Sequence, residues 1–408
     1  LTFFLGSNDF ATDPNDYVVY VENGDGDFSN GGTSIQESGR IYDGVNKTVT
    51  FTGISLSDGD YFTLAEKSGS TPPPPTTIDF GPGGVGNTTN IEAWMDASRL
   101  SLINNDPVSS WTDVSGNNNH AEQLTTSDQP TYLSNQLNGL PVIEFDGIND
   151  FLEFDSHITT GAITSFLVYR RNGGTGFQGL LTYNKHALLS NDNAGGRFTT
   201  FYNNPGSFYS VSKSNSIFSI SAHSTNSSLS GSNLLLSDGN TISNQTRNEL
   251  VNVANSKIGV NAGNNLFLNG QIAEIITYNQ ELNSAKRKIV SNHLAAKYNL
   301  TAEENLYAYG NTHGNDLIGI GQETDGNHTT ARGLDSLEIS NPSALGNGDY
   351  ILVGNDAGGF DTTSSVGIDA SQRWTQVWRA DVTGTPGTLD LTFFLGSNDF
   401  ATDPNDYV

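Results

Sequence analysis

The eighteen residues LTFFLGSNDFATDPNDYV stand at positions 1–18 and again, letter for letter, at 391–408 of this 408-residue chain. Identity of that length does not arise by chance and has no evident use inside one compact domain. It reads as the overlap of a tandem array whose period is 390 residues (391 − 1). The chain is then naturally read in a circle, with residue 19 onward continuing the sense of residue 408. In that reading TLDLTFFLG at 388–396 is a strand with Leu389, Leu391, Phe393 and Leu395 on one face, and the N-terminal copy repeats the pattern with Leu1, Phe3 and Leu5.

Working outward, RWTQVWRADV at 373–382 puts Trp374 and Trp378 on one face, and DYILV at 349–353 supplies another apolar strand. Beyond the overlap come DYVVYV at 16–21, KTVTFTG at 47–53 and DYFTLA at 60–65, separated by Gly, Asn and Asp turn clusters. Short strands at this spacing predict an antiparallel β-sandwich. Its first half lies at 301–408 and its second at 1–68, so residues 1–68 are expected to complete the previous repeat and 301–408 to begin the next sandwich.

Residues 68–87 read SGSTPPPPTTIDFGPGGVGN. Four consecutive prolines, Pro72 to Pro75, favour stiff polyproline II, and the glycines after them are expected to restore flexibility, so 69–87 reads as a linker. Recognition of this stretch by a proline-binding partner is the functional alternative. From 88 to 300 the alternating segments PVIEF, SFLVYR and IAEIITY predict a larger second β domain, which closes in a helix at 284–298. Asn283 is placed to cap that helix, and Ile289, Val290, Leu294 and Tyr298 recur at helical spacing. Lys286 and Arg287 in its first turn oppose the macrodipole, so packing of the apolar stripe is expected to hold it.

Composition narrows the function classes. The chain has 44 acidic against 18 basic side chains and no cysteine. The duplicated stretch carries three aspartates and no base, so one period has 41 acids (44 − 3), 18 bases and a net charge of −23. Nucleic-acid binding needs clustered Lys and Arg and is not expected. Disulfides, thiolate nucleophiles and cysteine metal sites are excluded outright. No apolar run approaches the roughly 18 residues that cross a bilayer, so membrane insertion by a helix is not expected.

Four segments in order, IEAWMDASRLSL, VSSWTDVSGNNNHAEQ, LNGLPVIEFDGINDFLEF and GQIAEIITYNQELNSAKRKIVSNHLAAKYNL, resemble the concanavalin A-like, laminin-G-type jelly roll of secreted bacterial proteins. The segments LIGIGQETDG, YILVGNDAGG, RWTQVWRADVTG, YVENGDGDFS and VTFTGISLSDGDYFTLA resemble the β domain that trails this jelly roll in giant repetitive surface proteins of gliding bacteria. The fold so implied is all-β: a jelly roll with one C-terminal helix, plus a smaller sandwich divided across the repeat boundary. The resemblance further implies an extracellular adhesin or a grappling-hook-like surface filament that attaches to cells or surfaces. Its partners would be neighbouring repeats, other copies running side by side in a homo-oligomeric filament, and a glycan or cell-surface ligand.

Jelly-roll glucanases need closely spaced carboxylates on one strand. No E-x-D-x-E pattern occurs, Glu274 stands alone in IAEIITY, and the seven histidines are scattered, so an enzyme is not expected. Calcium is the candidate cofactor, because hard oxygens at alternate positions of a glycine-rich loop converge on one cation. Glu22, Asn23, Asp25 and Asp27 in VENGDGDFSNGG form the first such set, against the plainer reading of an Asx-rich turn. Asp146, Asn149 and Asp150 in FDGIND form the second. Asp96 and Asp113, each near a tryptophan, read equally well as structural acceptors. A glycan site would use exposed aromatics, for which the candidates are Tyr183, His186, Phe201, Tyr202 and Tyr209, against the alternative that they point into the core. A lectin module is thus the second function class and a polysaccharide-degrading enzyme the third.

Overall fold

The computed structural model describes residues 17–23, 33–36, 41–43, 48–66, 80–156, 158, 162–183, 186–191, 197–201, 208–212, 216–225, 233–237, 240–242, 255–261, 263–334, 337–359, 362–363 and 372–393. Those residues are predominantly antiparallel β, and among them only Ser284–Tyr298 forms a helix longer than about one turn. The chain is all-β in class. It divides into two compact units, one of Leu1–Val85, Asn283–Lys297 and Asn305–Val408, the other of Gly86–Leu282 and Tyr298–Glu304.

The first unit is a sandwich to which described strands from both the N-terminal and the C-terminal segments contribute. One sheet runs Thr33–Gln36, Tyr17–Glu22, Tyr61–Glu66, Trp378–Thr383, Tyr350–Asn355, Asn315–Glu323, Gly326–His328. The other runs Thr330–Arg332, Leu337–Ser340, Leu389–Phe393, Thr48–Ile54, Ile41–Asp43. Leu389, Leu391 and Phe393 are buried on the inner face, as their alternation predicts, with Phe51, Ile54, Phe62, Ile351, Val353 and Trp378 around them. The Trp374 and Trp378 rings meet 6.0 Å apart in this core. They sit on two strands, Gln372–Trp374 and Trp378–Thr383, because Thr375–Val377 interrupts the single strand that RWTQVWRADV suggests. Described strands from the segments 1–68 and 301–408, expected to serve different sandwiches, pair with each other in this chain: Thr48–Ile54 with Leu389–Phe393, and Tyr61–Glu66 with Gln372–Trp374 and Trp378–Thr383.

The glycines after the proline run are fixed, which corrects the expectation of a flexible linker over its last residues. Gly81 to Val85 are buried, Gly83 forms a parallel bridge with Ile318, and the Gly319 amide donates to the Gly83 carbonyl at 3.1 Å. His328 Nε2 lies 3.1 Å from the Gly84 carbonyl oxygen. Burial holds the His328 imidazole well below its usual range, to about 4, so it is neutral and donates this bond. Glycine is required for a local reason: at Gly84 φ is +75° and an added Cβ would fall 2.6 Å from Ala331 Cβ. Residues 67–79 lie outside the described residues.

The helix has the predicted bounds and the predicted cap: Asn283 Oδ1 accepts from the Lys286 amide at 2.9 Å. Asp325 adds what the sequence did not disclose, its Oδ2 accepting from both the amide (3.0 Å) and the hydroxyl (2.9 Å) of Ser284. That carboxylate offsets the two bases of the first turn. Lys288 Nζ pairs with Glu323 Oε1 at 2.6 Å, and Ile289 packs on Gly319. The helix therefore groups with the sandwich over Asn283–Lys297, where the sequence had placed it at the end of 88–300.

The second unit stacks two sheets. One runs Asn240–Ile242, Asn233–Ser237, Ser219–Thr225, Ile163–Arg171, Asn269–Tyr278, Leu140–Asp146, Thr131–Leu137, with Ile91–Asp96 also on Asn269–Tyr278. The other runs Phe208–Ser212, Arg197–Phe201, His186–Asn191, Phe177–Tyr183, Lys257–Ile258, Leu152–Phe154, Ala121–Glu122, Ser110–Trp111. Ile143, Phe145, Leu167, Ile272 and Ile275 from the first meet Leu152, Leu180, Leu181, Leu188 and Phe198 from the second. Asn269–Tyr278 and Ile163–Arg171 are central and buried on both faces along most of their length, so polar side chains on them must find partners inside.

Candidate functional site

Among the described residues of the first unit, a polar constellation lies where the N-terminal and C-terminal segments join. Tyr61 faces Arg379 across the two strands, and Phe62 faces Trp378. Phe62 and Trp378 stack in the core at 6.4 Å, so strand alternation turns Tyr61 and Arg379 to the opposite, outer face. There the guanidinium carbon of Arg379 lies 4.2 Å from the Tyr61 ring centroid and 3.6 Å from that of Tyr309. This is a cation held between two aromatic faces, each contact adding about 0.5–1 kcal/mol at an exposed site. Arg379 Nε donates to the Gly59 carbonyl at 3.2 Å, and the Tyr309 hydroxyl donates to Asp58 Oδ1 at 3.3 Å.

Two carboxyl groups flank the cation. Asp381 Oδ2 accepts from the Ala308 amide at 2.7 Å. Burial pushes the Asp381 carboxyl up to about 6 against that hydrogen bond, and the neighbouring Asp58 carboxyl, hydrogen-bonded to it, pushes the same way. Asp60, buried beneath, accepts from the Ser57 amide at 2.7 Å, and burial raises it as well. Behind them the Tyr307 hydroxyl donates to the His313 carbonyl (2.8 Å) and the Arg379 carbonyl (3.2 Å). His313 sets its ring edge on Tyr61 at 5.1 Å, and its basicity is lowered by burial. The arrangement clamps three parts of the chain, residues 58–61, 307–313 and 379–381. Ionisation of Asp381 adds a negative charge beside the Asp58 carboxyl and so loosens the clamp electrostatically.

The sequence candidates fall elsewhere. Glu22 is buried at the end of Tyr17–Glu22 opposite Tyr61 and Thr33, and Asn23 follows it exposed, while Asp25 and Asp27 lie outside the described residues. Asp146, Asn149 and Asp150 do come together in the second unit, and Asp128, which the sequence did not single out, joins them. Asp146 Oδ1 accepts from the amides of Ile148 (2.7 Å) and Asn149 (3.2 Å), Asp150 Oδ2 accepts from the Asp146 amide (2.9 Å), and Asn149 Nδ2 donates to Asp128 Oδ1 (2.6 Å). Burial first, then the charges of Asp146, Asp128 and Glu144, push the Asp150 carboxyl up to about 6. Among the described residues no three His, Asp or Glu side chains are grouped to hold a metal ion.

Tyr183 is fully buried, with its hydroxyl 3.2 Å from both Ser165 Oγ and His223 Nδ1 inside the core, so its ring offers no face to a ligand. His186, Phe201 and Tyr209 lie on strands, but their side chains, like Tyr202 altogether, are outside the described residues. Asp113 is a saturated loop acceptor, taking the amides of Trp94, Ser115 and Asn119 and the hydroxyl of Ser115 at 2.8–2.9 Å. Asp96 caps the turn Ala97–Arg99 through the Ser98 amide. Glu274 accepts from Trp94 Nε1 at 2.7 Å and from the Tyr298 hydroxyl at 2.8 Å, which are the hydrogen bonds its buried position demands.

No family model matches the chain, and no curated protein matches it. Among solved structures it is similar to domain 4 of AbnA, a GH43 extracellular arabinanase from Geobacillus stearothermophilus, in complex with arabinotriose. That match has 13% identity and a TM-score of 0.36, and covers 49% of this chain and 96% of that one. It is also similar to Trypanosoma rangeli sialidase in complex with sialic acid, at 13% identity and a TM-score of 0.37 over 66% of this chain; the match covers 46% of the sialidase. A GH54 α-L-arabinofuranosidase gives 14% identity and a TM-score of 0.36 over 58% of this chain and 60% of that one. At these scores the likenesses decide no point of function.

Proposed function

We propose that the chain is a tandem structural repeat, of period 390, from an extracellular surface protein or filament that attaches cells or surfaces through the array it builds. One observation carries this reading: the two segments that form the sandwich are those the duplicated eighteen residues would join end to end. Leu389–Phe393 ends in the copy at 391–408, and Tyr17–Glu22 begins in the copy at 1–18. Read across the duplication, residues 283–408 followed by 19–85 are one uninterrupted polypeptide that contains every described strand of the sandwich. Function is then mechanical: successive sandwiches and jelly rolls span distance, and shared backbone hydrogen bonds resist extension. The lack of cysteine removes mispairing from a long exported chain.

The test is that continuous polypeptide, 283–408 running on into 19–85. It is expected to fold alone, with one cooperative thermal transition and a near-ultraviolet dichroism signal from the packed Trp374 and Trp378. A molten or unfolded product, beside a well-folded 408-residue chain, refutes the repeat reading.

A further inference from the structure

We propose that the outer face of the second unit carries a binding site for a uronic-acid sugar, built on the row Glu144, Gln271, Arg170 and Phe218. The proposal goes beyond the repeat reading and does not rest on it, because the whole row lies within Gly86–Leu282.

Strand register builds the row. Glu144 of Leu140–Asp146 pairs with Gln271 of Asn269–Tyr278, and Gln271 pairs with Arg170 of Ile163–Arg171. Directly paired residues share a face, so three neighbouring strands bring these side chains together. That face is the outer one, because Ile143, Ile272 and Tyr169, each one residue along, belong to the core between the sheets. Phe218, just ahead of Ser219–Thr225, extends the row, with the Arg170 guanidinium carbon 4.9 Å from its ring centroid. At a strand spacing of about 4.8 Å, the backbones of Glu144 and Arg170 lie about 10 Å apart.

The middle of the row has hydrogen-bonding capacity to spare. Gln271 is 2% exposed, and its Nε2 donates to Glu144 Oε1 at 2.9 Å, an oxygen that also accepts from Asn172 Nδ2 at 3.2 Å. The carboxylate fixes the amide's orientation, since the flipped amide would set oxygen against oxygen. Gln271 Oε1 is left buried with no hydrogen-bond partner among the described residues, and so is Arg170 Nε. Native interiors keep few such groups, because each forfeits its bond to water without replacement. Arg170 is half-buried, and among the described residues no carboxylate pairs with it. Its contact with Phe218 uses the guanidinium's charge and none of its N–H donors.

These groups specify their ligand. A carboxylate meets a guanidinium through two parallel hydrogen bonds, and a hydroxyl beside it can donate to Gln271 Oε1 while accepting from Arg170 Nε. Further hydroxyls can donate to Glu144. A uronic acid carries the carboxylate and the hydroxyls on one ring, whereas a simple anion lacks the donor that Gln271 needs and a neutral sugar lacks the charge that Arg170 needs. The Phe218 contact is the one that holds Arg170 among the described residues, so its side chain can turn to admit the hydroxyl to the amide.

The test is calorimetric titration of the 408-residue chain with short oligomers of galacturonate, glucuronate and guluronate, each beside its methyl ester, which keeps the hydroxyls and removes the charge. At least one acid oligomer is expected to bind, and its ester to bind about tenfold more weakly or worse. Arg170→Met keeps the stem and loses the donors, and Gln271→Leu loses the acceptor, so each is expected to weaken binding by about tenfold or more. Arg99→Met removes an exposed cation of the same unit outside the row and is expected to leave affinity within about twofold of the parent. Thermal melts show which variants keep the fold. Should Gln271→Leu melt early, the half-buried Arg170→Met decides alone. Three results overturn the site: no acid oligomer binding at millimolar concentration, an ester binding as well as its acid, or a folded Arg170→Met or Gln271→Leu binding as well as Arg99→Met. None of them bears on the repeat reading, which is read from the folding of 283–408 joined to 19–85.

Discussion

Gly84→Ala separates a docked segment from a free one by the sign of its effect. In a free linker the change restricts the unfolded chain and is neutral or stabilising by about 0.4–1 kcal/mol. Here Gly84 has φ +75°, a conformation that costs an L-residue about 1–2 kcal/mol. Its new Cβ would also lie 2.6 Å from Ala331 Cβ and 2.8 Å from both Ala331 Cα and the Arg332 nitrogen. Two of those atoms belong to backbone, so the strand Thr330–Arg332 has to shift, at about 1–3 kcal/mol for overpacking. The expected loss is about 2–5 kcal/mol, or a melting temperature lower by about 5–15 °C for a unit of this size. The control is Gly53→Ala, where φ is +73° and nothing lies within 4 Å of the added Cβ, so only the backbone term is felt. Differential scanning calorimetry of the two variants and the parent reads the difference. A Gly84→Ala loss no greater than that of Gly53→Ala, or a gain, would refute the docking of 81–85.

Arg379→Met removes the cation from between Tyr61 and Tyr309 and leaves Asp58 and Asp381 facing each other. We expect a loss of about 2–3 kcal/mol at pH 8, from the ring contacts and the bond to Gly59, and a smaller loss at pH 5 in urea titrations. The pH dependence follows from the Asp381 carboxyl titrating near 6: below that it is neutral and needs the cation less. Asp150→Asn tests the loop 146–150 in the opposite sense. A carboxyl raised to about 6 in the folded state costs stability above pH 6 and none below about 4, where folded and unfolded chains both hold the proton. After discounting for solvent screening the variant should gain about 1 kcal/mol at pH 8, a rise of about 2–4 °C that vanishes by pH 4. Parent protein stabilised by millimolar calcium, with Asp150→Asn insensitive, would instead mark this loop as a cation site. Glu274→Ala strands Trp94 Nε1 and the Tyr298 hydroxyl inside the second unit, with an expected cost of about 2–4 kcal/mol and a changed tryptophan emission, whereas Glu274→Gln keeps an acceptor and costs less.

What was legible in the sequence was whatever repeats locally. Alternation at 389–393 gave a strand and its buried face, and Asn283 with the apolar stripe of 284–298 gave the helix and its cap. The duplicated eighteen residues pointed to the two segments that meet. The constellation at Arg379 was not legible, because Asp58, Tyr309 and Asp381 have no common motif and their meeting depends on the register of Tyr61–Glu66 against Trp378–Thr383. No periodicity states which strand lies beside which. The sequence also misread the glycines at 81–84, since a glycine in a free linker and one pressed against a neighbouring strand look alike until the neighbour is in place.

The sequence by itself determined the β class, the strand faces, the helix and the recurrence of eighteen residues 390 positions apart, because pleat, helical turn and repetition are properties of the linear chain. Only the tertiary structure decided that Tyr61–Glu66 and Thr48–Ile54 pair with Trp378–Thr383 and Leu389–Phe393, that the helix joins the sandwich, that Gly81–Val85 is docked, and that Tyr183 is core. Those outcomes depend on which apolar faces cover one another and which buried polar groups find partners, and both are settled between residues hundreds of positions apart.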